Sequence, residues 1–368
     1  MSEYIAIVLW LAVMALFQRF VDVEETISVH GKKKKRVTWW YAILVFVPLM
    51  WFTVNRDKAI GDTFVYIQSY KKSPKSFSLL FPYYQSLSKD RWYYFVEAFI
   101  HTLFASDNYK IFFFVVAAFQ VFALIVLYRK YSGDYLLAAF IFVTCGDYIS
   151  WMLNGIRQFV AVCICLLTTS WMIDRKYIPS IIVILIASRF HGSALLMIPI
   201  FLICVGEPWN RRTILMLAIV LISIVFVSQF TTWLDAALDD TQYTNVVTDW
   251  QSWNDDGTNP IRVLIYSAPT ILSLMGLHYI RETDDVVINF CTNMSIVTFG
   301  LYLISMVTSG IFIGRLPIYA SLYSNGILLP WELNHIFNKD SSRYMKMAAI
   351  AGFLLLYIYQ IHFEWRII

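Results

Sequence analysis

The clearest apolar runs of this chain are Val37–Val54, Ile111–Tyr128, Gln158–Ile173, Thr213–Phe230 and Val286–Ser309, all without an Asp, Glu, Lys or Arg. A helix needs roughly 20 mostly apolar residues to cross a hydrocarbon core of about 30 Å, and these runs come close to that length. Tyr4–Gln18, Tyr135–Leu153, Val263–Ile280, Ile318–Leu329 and Tyr344–Ile361 are weaker or interrupted versions of the same pattern. Ile178–Val205 is longer than one crossing requires and holds Ser188-Arg189-Phe190-His191-Gly192 near its middle. Arg and His are expensive in lipid unless they face a wet cavity, so this stretch predicts two short helices meeting at a turn. Only 15% of the 368 residues are charged and 59% are hydrophobic, whereas soluble domains carry about 25% charged residues. That excludes a soluble enzyme, a nucleic-acid-binding protein and a disordered chain. The expected fold class is an all-α polytopic membrane protein.

Orientation follows from Lys and Arg in short loops, which stay in the cytoplasm. Lys32–Arg36 is the strongest signal and puts the N-terminus outside. The first apolar run is too long for a signal peptide and lacks its small-residue cleavage pattern, so it is expected to stay as an anchor. Arg129-Lys130, Asp174-Arg175-Lys176, Arg211-Arg212 and Lys339–Lys346 are further basic loops. If Trp92–Ala105 crossed the membrane, Arg129-Lys130 would fall outside. Keeping both basic loops inside requires residues 61–108 to lie outside without a net crossing, as helices on or dipping into the outer face. With a break at His191, the later basic loops also fall inside, which gives about twelve crossings, in a range of ten to thirteen. No fixed repeat, linker or low-complexity tail interrupts the pattern, so residues 1–368 are expected to form a single integral membrane domain. Its landmarks are the outer helical loop 61–108 and an acidic aromatic outer loop, 233–259.

This topology collects Asn55–Tyr70, Asn154–Gln158 and Arg189–Ser193 on one side, joined by Gly310–Arg315. A lone Arg56 at a span end reads as an interfacial anchor, but Gly61-Asp62 and Tyr66 downstream indicate a shaped loop. Asp62 there can take a proton from a sugar hydroxyl as a general base. Arg157 comes after Asn154-Gly155 and opens an uncharged helix, and a helix N-terminus with a guanidinium beside it suits phosphate. His191 sits at a helix break after Arg189 and can act as base or as hydrogen-bond donor. Arg315 lies among Gly310, Gly314 and Pro317, breakers tolerated only where backbone lines a cavity or protein. It reads as a phosphate clamp in preference to a plug paired with a carboxylate. Glu97 and His101 share one helix face, yet two ligands without a third make a weak metal signal, and no metal is expected. Glu97 is a third candidate for base or sugar contact. Trp233–Asn259 holds six aspartates with Trp250, Trp253 and Tyr243 and no Lys or Arg. It suits carbohydrate, with rings to stack on, and equally an ordinary solvated loop with interfacial Trp anchors. The five cysteines show no metal spacing and read as reduced packing residues.

Arg56…Gly61-Asp62…Tyr66, Glu97, Arg157-Gln158-x-x-Ala161 and Phe190-His191-x-Ser193-Ala194, in that order, resemble the EpsG family. These are Wzy-type polymerases of bacterial exopolysaccharide, capsule and O-antigen. The resemblance runs to about residue 205 and is weaker beyond it; Gly61-Asp62 stands where the family form is Gly-Thr-Asp. It implies a metal-independent, cofactor-free glycosyltransferase of GT-C type in the bacterial inner membrane, with its active site facing the periplasm. The donor it implies is a growing glycan on undecaprenyl diphosphate. The acceptor is the terminal sugar of one lipid-linked repeat unit, and membrane lipid, a chain-length-regulating co-polymerase and a flippase are the implied partners. Arg56, Arg157 and Arg315 would then bind the diphosphate, and Asp62, His191 or Glu97 would take the proton. Tyr66, Gln158, Arg189, Trp250 and Trp253 would contact substrate. A flippase of lipid-linked oligosaccharide would need polar residues through the whole depth and repeat symmetry, neither of which is visible. A membrane acyltransferase would place His191 at the inner face.

Overall fold

Backbone N–H and C=O groups deprived of water must pair within their own segment, and this chain answers with helices almost throughout. The computed structural model describes residues 2–237 and 257–364. The helices are α1 (Ser2–Phe17), α2 (Trp39–Asn55), α3 (Thr63–Lys72), α4 (Phe77–Ser86), α5 (Arg91–Phe104), α6 (Lys110–Tyr131) and α7 (Tyr135–Thr144). They continue with α8 (Gly146–Leu153), α9 (Ile156–Leu167), α10 (Thr169–Ile173), α11 (Tyr177–Ser188), α12 (Met197–Cys204), α13 (Arg211–Val225) and α14 (Val227–Ala237). After the undescribed residues come α15 (Pro260–Met275), α16 (Leu277–Thr283), α17 (Val286–Met306), α18 (Ile318–Tyr323), α19 (Leu329–His335) and α20 (Lys339–Tyr359).

Three helices, Lys110–Tyr131, Val286–Met306 and Lys339–Phe363, are long and apolar enough to cross a membrane alone. Three bent pairs bring the number to six if each counts as one span: α7–α8 at 73°, α13 with Val227–Trp233 at 105°, and α15–α16 at 69°. The other expected crossings in the first part of the chain correspond to apolar helices of 10–17 residues, such as Trp39–Asn55 and Ile156–Leu167. Ile178–Val205 is broken where the sequence predicts, between Ser188 and a 3-10 turn at Gly192–Leu196. By internal contacts the chain divides into two compact units, Met1–Ile198 with Met347–Ile368, and Pro199–Lys346.

In the first unit, α2, α6, α9–α10 and α11 all run between the same two ends. Buried tyrosines tie the helices together through backbone carbonyls left accepting: Tyr41 Oη donates to Met14 O at 2.9 Å and Tyr135 Oη to Ala42 O at 2.8 Å. One end carries a feature the sequence does not announce. Lys32–Arg36, read as a plain basic loop, is strand β2 (Lys32–Val37), paired antiparallel with β1 (Glu24–Val29) from Glu24↔Val37 to Val29↔Lys32. Four lysines in a row favour no strand; burial of Val23, Val29 and Val37 and external pins hold it. His30 Nδ1 lies 2.7 Å from Asp174 Oδ1, Arg36 Nε donates to Lys130 O at 3.1 Å, and Arg129 pairs with Glu25. The basic loops at 32–36, 129–130 and 174–176 therefore share one end of this unit, as the parity reading requires. Arg56, Arg157 and Arg189 sit at the opposite ends of α2, α9 and α11.

In the second unit α17 is the central helix, packed by α13, α15 and α18. Its buried Asn293 is paired inward, as intramembrane amides are. Asn293 Nδ2 donates to Cys204 O at 3.0 Å and Glu207 O at 2.8 Å, while its Oδ1 accepts from Trp209 N at 3.0 Å. The breaker segment after α17 is irregular, with Arg315 in a 3-10 turn (Ile313–Arg315). Gly257 has φ +80°, and a Cβ there would meet the carbonyl oxygens of Met306, Ser305 and Thr308 at 2.7–2.9 Å. Gly257→Ala is therefore expected to destabilise the protein by about 1–3 kcal/mol, seen as a lowered thermal unfolding midpoint in detergent. An unchanged midpoint would show that the close approach is not maintained.

Candidate active site

The site end of the first unit is organised around the start of α9. Asn154-Gly155 turns the chain into that helix, and Arg157 occupies its first turn. The Arg157 guanidinium donates to Asp90 Oδ2 at 2.6 Å and to Tyr94 Oη at 3.4 Å, and it lies 5.8 Å from the Tyr94 ring centroid. Its side chain is 34% exposed while that of Asp90 is 4% exposed, so the pair is a cation presented outward on a buried anion. Burial raises the Asp90 carboxyl above its ordinary range, with Arg157 pulling the other way. Asp90 precedes α5 in the position of an N-cap, yet its side chain makes no capping bond and its backbone is left-handed, φ 46° and ψ 40°. Asp tolerates that conformation better than most residues, and here its carboxylate is turned from its own helix to Arg157.

Helix α5 is the outer-face helix of the sequence reading, and it is pinned along its length. Trp92 N donates to Arg189 O at 3.3 Å, and the Trp92 and Phe190 rings meet edge-on at 6.1 Å. Farther along, buried His101 sits with Nδ1 2.9 Å from Ser73 Oγ and Nε2 3.3 Å from Asp107 Oδ1. Glu97 and His101 do share a helix face, but they turn to different partners. Glu97 is fully buried, its Oε1 accepting from Ser69 Oγ at 2.6 Å, and its Oε2 has no partner among the described residues. Burial pushes the Glu97 carboxyl up to about 7, against the pull of Ser69 and Arg157.

Loop 56–62 closes onto the same place. Arg56 is 4% exposed, donates through Nε to Thr63 Oγ1 at 2.9 Å and through Nη1 to Thr53 O at 3.3 Å, and lies 4.1 Å over the Phe113 ring. Burial lowers its pKa to about 10, which still leaves it charged at neutral pH, and its Nη2 is buried without a partner among the described residues. Gly61 has φ +47° and packs so closely on Asn154 that a Cβ would lie 1.8 Å from Asn154 Oδ1. Tyr66 Oη donates to Asn154 O at 2.7 Å and bonds Arg157. Asp62 is exposed at the start of α3, within the electrostatic reach of Tyr66.

The residue types and order seen here match one family over nearly the whole chain, residues 38–365. The chain belongs to the EpsG family. This is the family of Wzy-type polysaccharide polymerases, and the match extends well past residue 205, where the motif resemblance weakens. No curated protein and no solved structure matches the chain.

Among the residues expected at an EpsG site, the structure gathers Arg157, Tyr66, Asp62 and Glu97 around the start of α9, with Arg56 buried close to Thr63. Gln158 is buried in the first turn of α9. Arg189 is exposed, and its backbone carbonyl, rather than its side chain, ties it to α5. His191 is partly exposed, with Nδ1 2.7 Å from Ser193 Oγ. Arg315 belongs to the second unit. Trp250 and Trp253 lie outside the described residues. The sequence reading misses Asp90, Tyr94 and Ser69. Asp90 carries a signal, Asp ahead of an amphipathic helix, but that pattern reads as a cap and gives no hint of a partner 67 residues away.

Because the folded-state carboxyl of Glu97 titrates above its unfolded value, its stabilising contribution is complete below about 4.5 and is lost as pH rises through about 7. Glu97→Gln keeps the shape and the Ser69 acceptor without the ionisation. Relative to wild type, its unfolding midpoint is expected to rise by a few degrees between about pH 5 and about pH 8. A difference that is the same at both pH values would contradict a buried, elevated carboxyl.

Proposed function

We propose that this EpsG-family protein is a membrane glycosyltransferase that transfers a growing glycan from undecaprenyl diphosphate to the terminal sugar of a lipid-linked repeat unit. The observation that carries this reading is Arg157, a part-exposed guanidinium fixed on buried Asp90 with Tyr66 and Tyr94 beside it. As the acceptor hydroxyl attacks the anomeric carbon, the bond to the diphosphate breaks and its electron pair leaves with the phosphate. A cation already in place stabilises that developing charge more than the ground state. Arg56, buried with one spare N–H pair, adds positive potential from beneath.

Of the three candidate bases, Asp62 is exposed beside Tyr66, whereas Glu97 is sealed under Ser69. A base must reach the proton it takes, so the reading assigns the acceptor proton to Asp62. Glu97 sits in the field of Arg157 and sets local charge, and His191 flanks the start of α5 as a contact to the sugar or leaving group. The location that fits is the bacterial inner membrane with this end facing out, because Lys32–Arg36 mark the opposite end of the same helices. A flippase that supplies the repeat units and a co-polymerase that sets chain length are the partners this reading gives the protein in the cell.

Purified protein supplied with purified lipid-linked repeat units is expected to yield a ladder of products on a gel. Arg157→Ala is expected to slow the reaction by about 10²–10³. Arg157→Lys is not expected to rescue it, since one ammonium cannot hold Asp90 and a phosphate in the same fork geometry. Asp62→Asn is likewise expected to abolish the ladder, while Glu97→Gln retains one. Arg157→Ala polymerising as wild type does would remove the assignment.

A further inference from the structure

Glu97 takes no part in the proton transfer assigned above, yet a fully buried carboxyl is costly to keep. Without water it is tolerated only near a positive charge or with a proton of its own. Its surroundings show how finely the two are balanced. Ser69 Oγ of α3 donates to Glu97 Oε1 at 2.6 Å, and the same helix brings Tyr70 within electrostatic reach. Helix α4 brings Tyr83, α5 brings Tyr93 and Tyr94, and α9 brings Arg157. His101, one turn along α5, faces Ser73 and Asp107 instead. Phenols are neutral near pH 7, so among the described residues the cation that favours an ionised Glu97 is Arg157.

That guanidinium is already engaged. It donates to Asp90 Oδ2 at 2.6 Å and to Tyr94 Oη at 3.4 Å, and Tyr94 and Glu97 lie three residues apart on one face of α5. One cation therefore serves two buried carboxyls, Asp90 by contact and Glu97 from a distance. The two carboxyls are not equally secured. Asp90 holds a direct charged bond, whereas Glu97 has only the Ser69 hydroxyl. Its Oε2 has no partner among the described residues, and neither has the buried Oη of Tyr93. A buried oxygen left bare is an exception that asks for an explanation, and a bare carboxylate oxygen is where a proton can be added without breaking a bond.

The Arg157 side chain is 34% exposed and open to an anion from outside. An anion seated there offsets the positive potential that Glu97 feels and adds negative charge nearby, and both changes favour a neutral carboxyl. Burial already holds Glu97 at about 7, so a modest further push changes its charge near neutral pH. We propose that binding of an anionic head group at Arg157 draws a proton from solvent onto Glu97 Oε2, and that release of the anion returns it. The buried charge then stays balanced whether the site is empty or filled. The inference rests on the polymerase reading for the anion at Arg157, but it concerns the binding step and not the making of a glycosidic bond.

The test titrates full-length protein in detergent with farnesyl diphosphate, with no sugar present. Protons taken up per ligand are read from the dependence of the calorimetric binding enthalpy on the ionisation enthalpy of the buffer. At about pH 7.5 the wild type is expected to take up about half a proton more per ligand than Glu97→Gln, and at about pH 5.5 the difference is expected to vanish because Glu97 is protonated in both states. Subtracting the variant removes the titration of the ligand itself. Ser69→Ala deletes the hydrogen bond that favours the ionised carboxyl. It is expected to shrink the uptake at about pH 7.5 and move it to higher pH, which keeps the test valid if Glu97→Gln fails to fold. Equal uptake by wild type and Glu97→Gln, an uptake that Ser69→Ala leaves unmoved, or binding to Arg157→Ala as tight as to wild type, overturns the inference. If the uptake follows Glu97 but the wild type never joins repeat units, the proton coupling stands and the polymerase reading falls. A wild type that polymerises with no uptake traceable to Glu97 leaves the polymerase reading in place and removes the coupling.

Discussion

The contact between Arg157 and Asp90 is the interaction on which the arrangement of the first unit's outer surface depends. A carboxylate that is 4% exposed is tolerated only with a close opposite charge, and removing one partner of such a pair typically costs about 3–5 kcal/mol. The pair couples the first turn of α9 to the residue just before α5. Asp90 gives up its usual work as a helix cap to make it, and takes a left-handed backbone in doing so. The compensation is positional: α5 cannot slide along α9 without leaving a buried charge unpaired. Trp92, Phe190 and His101 then fix the rest of α5 against the same neighbours, so that Glu97, Tyr93 and Tyr94 are held rigidly around one guanidinium.

The first unit is also polar along its length. At one end the β-hairpin, Arg129-Lys130 and Asp174–Lys176 interlock through His30, Arg36 and Glu25. At the other, α2, α9 and α11 finish or begin with Arg56, Arg157 and Arg189. Helices that join these two ends separate a basic, aromatic-flanked hairpin end from the end that carries the Arg157–Asp90 pair. The bend within Tyr135–Leu153 does not disturb this, since that segment still connects Asp134 near the basic end to Asn154 at the other.

Several features are readable from residue order alone. The break at His191 follows from placing Arg and His amid apolar sequence. Asn154-Gly155-Ile156-Arg157 marks a helix start because Asn-Gly favours a turn and the run from Gln158 onward is uncharged. The expected outer-face placement of 61–108 comes from loop-charge parity; the structure shows that the basic loops at 32–36, 129–130 and 174–176 meet one another. The hairpin is invisible because Lys32–Arg36 has no strand pattern; it is stabilised by partners at 130 and 174. Span lengths are only partly legible, because apolar composition does not reveal a bend of 73° or 105°. Arg56 reads as a surface cation because its neighbours Asn55, Asp57 and Lys58 are polar, yet Thr63 and Phe113 enclose it.

The linear order of apolar runs and charges thus determined that this is a helical membrane protein, and it named most of the residues that cluster at one end, because lipid penalises charge wherever it is placed without a purpose. Only the tertiary structure decided which charge faces which. Asp90 and Arg157, Gly61 and Asn154, Arg189 and Trp92 are far apart in sequence, and their pairing is set by how helices pack, a long-range constraint that no local pattern encodes.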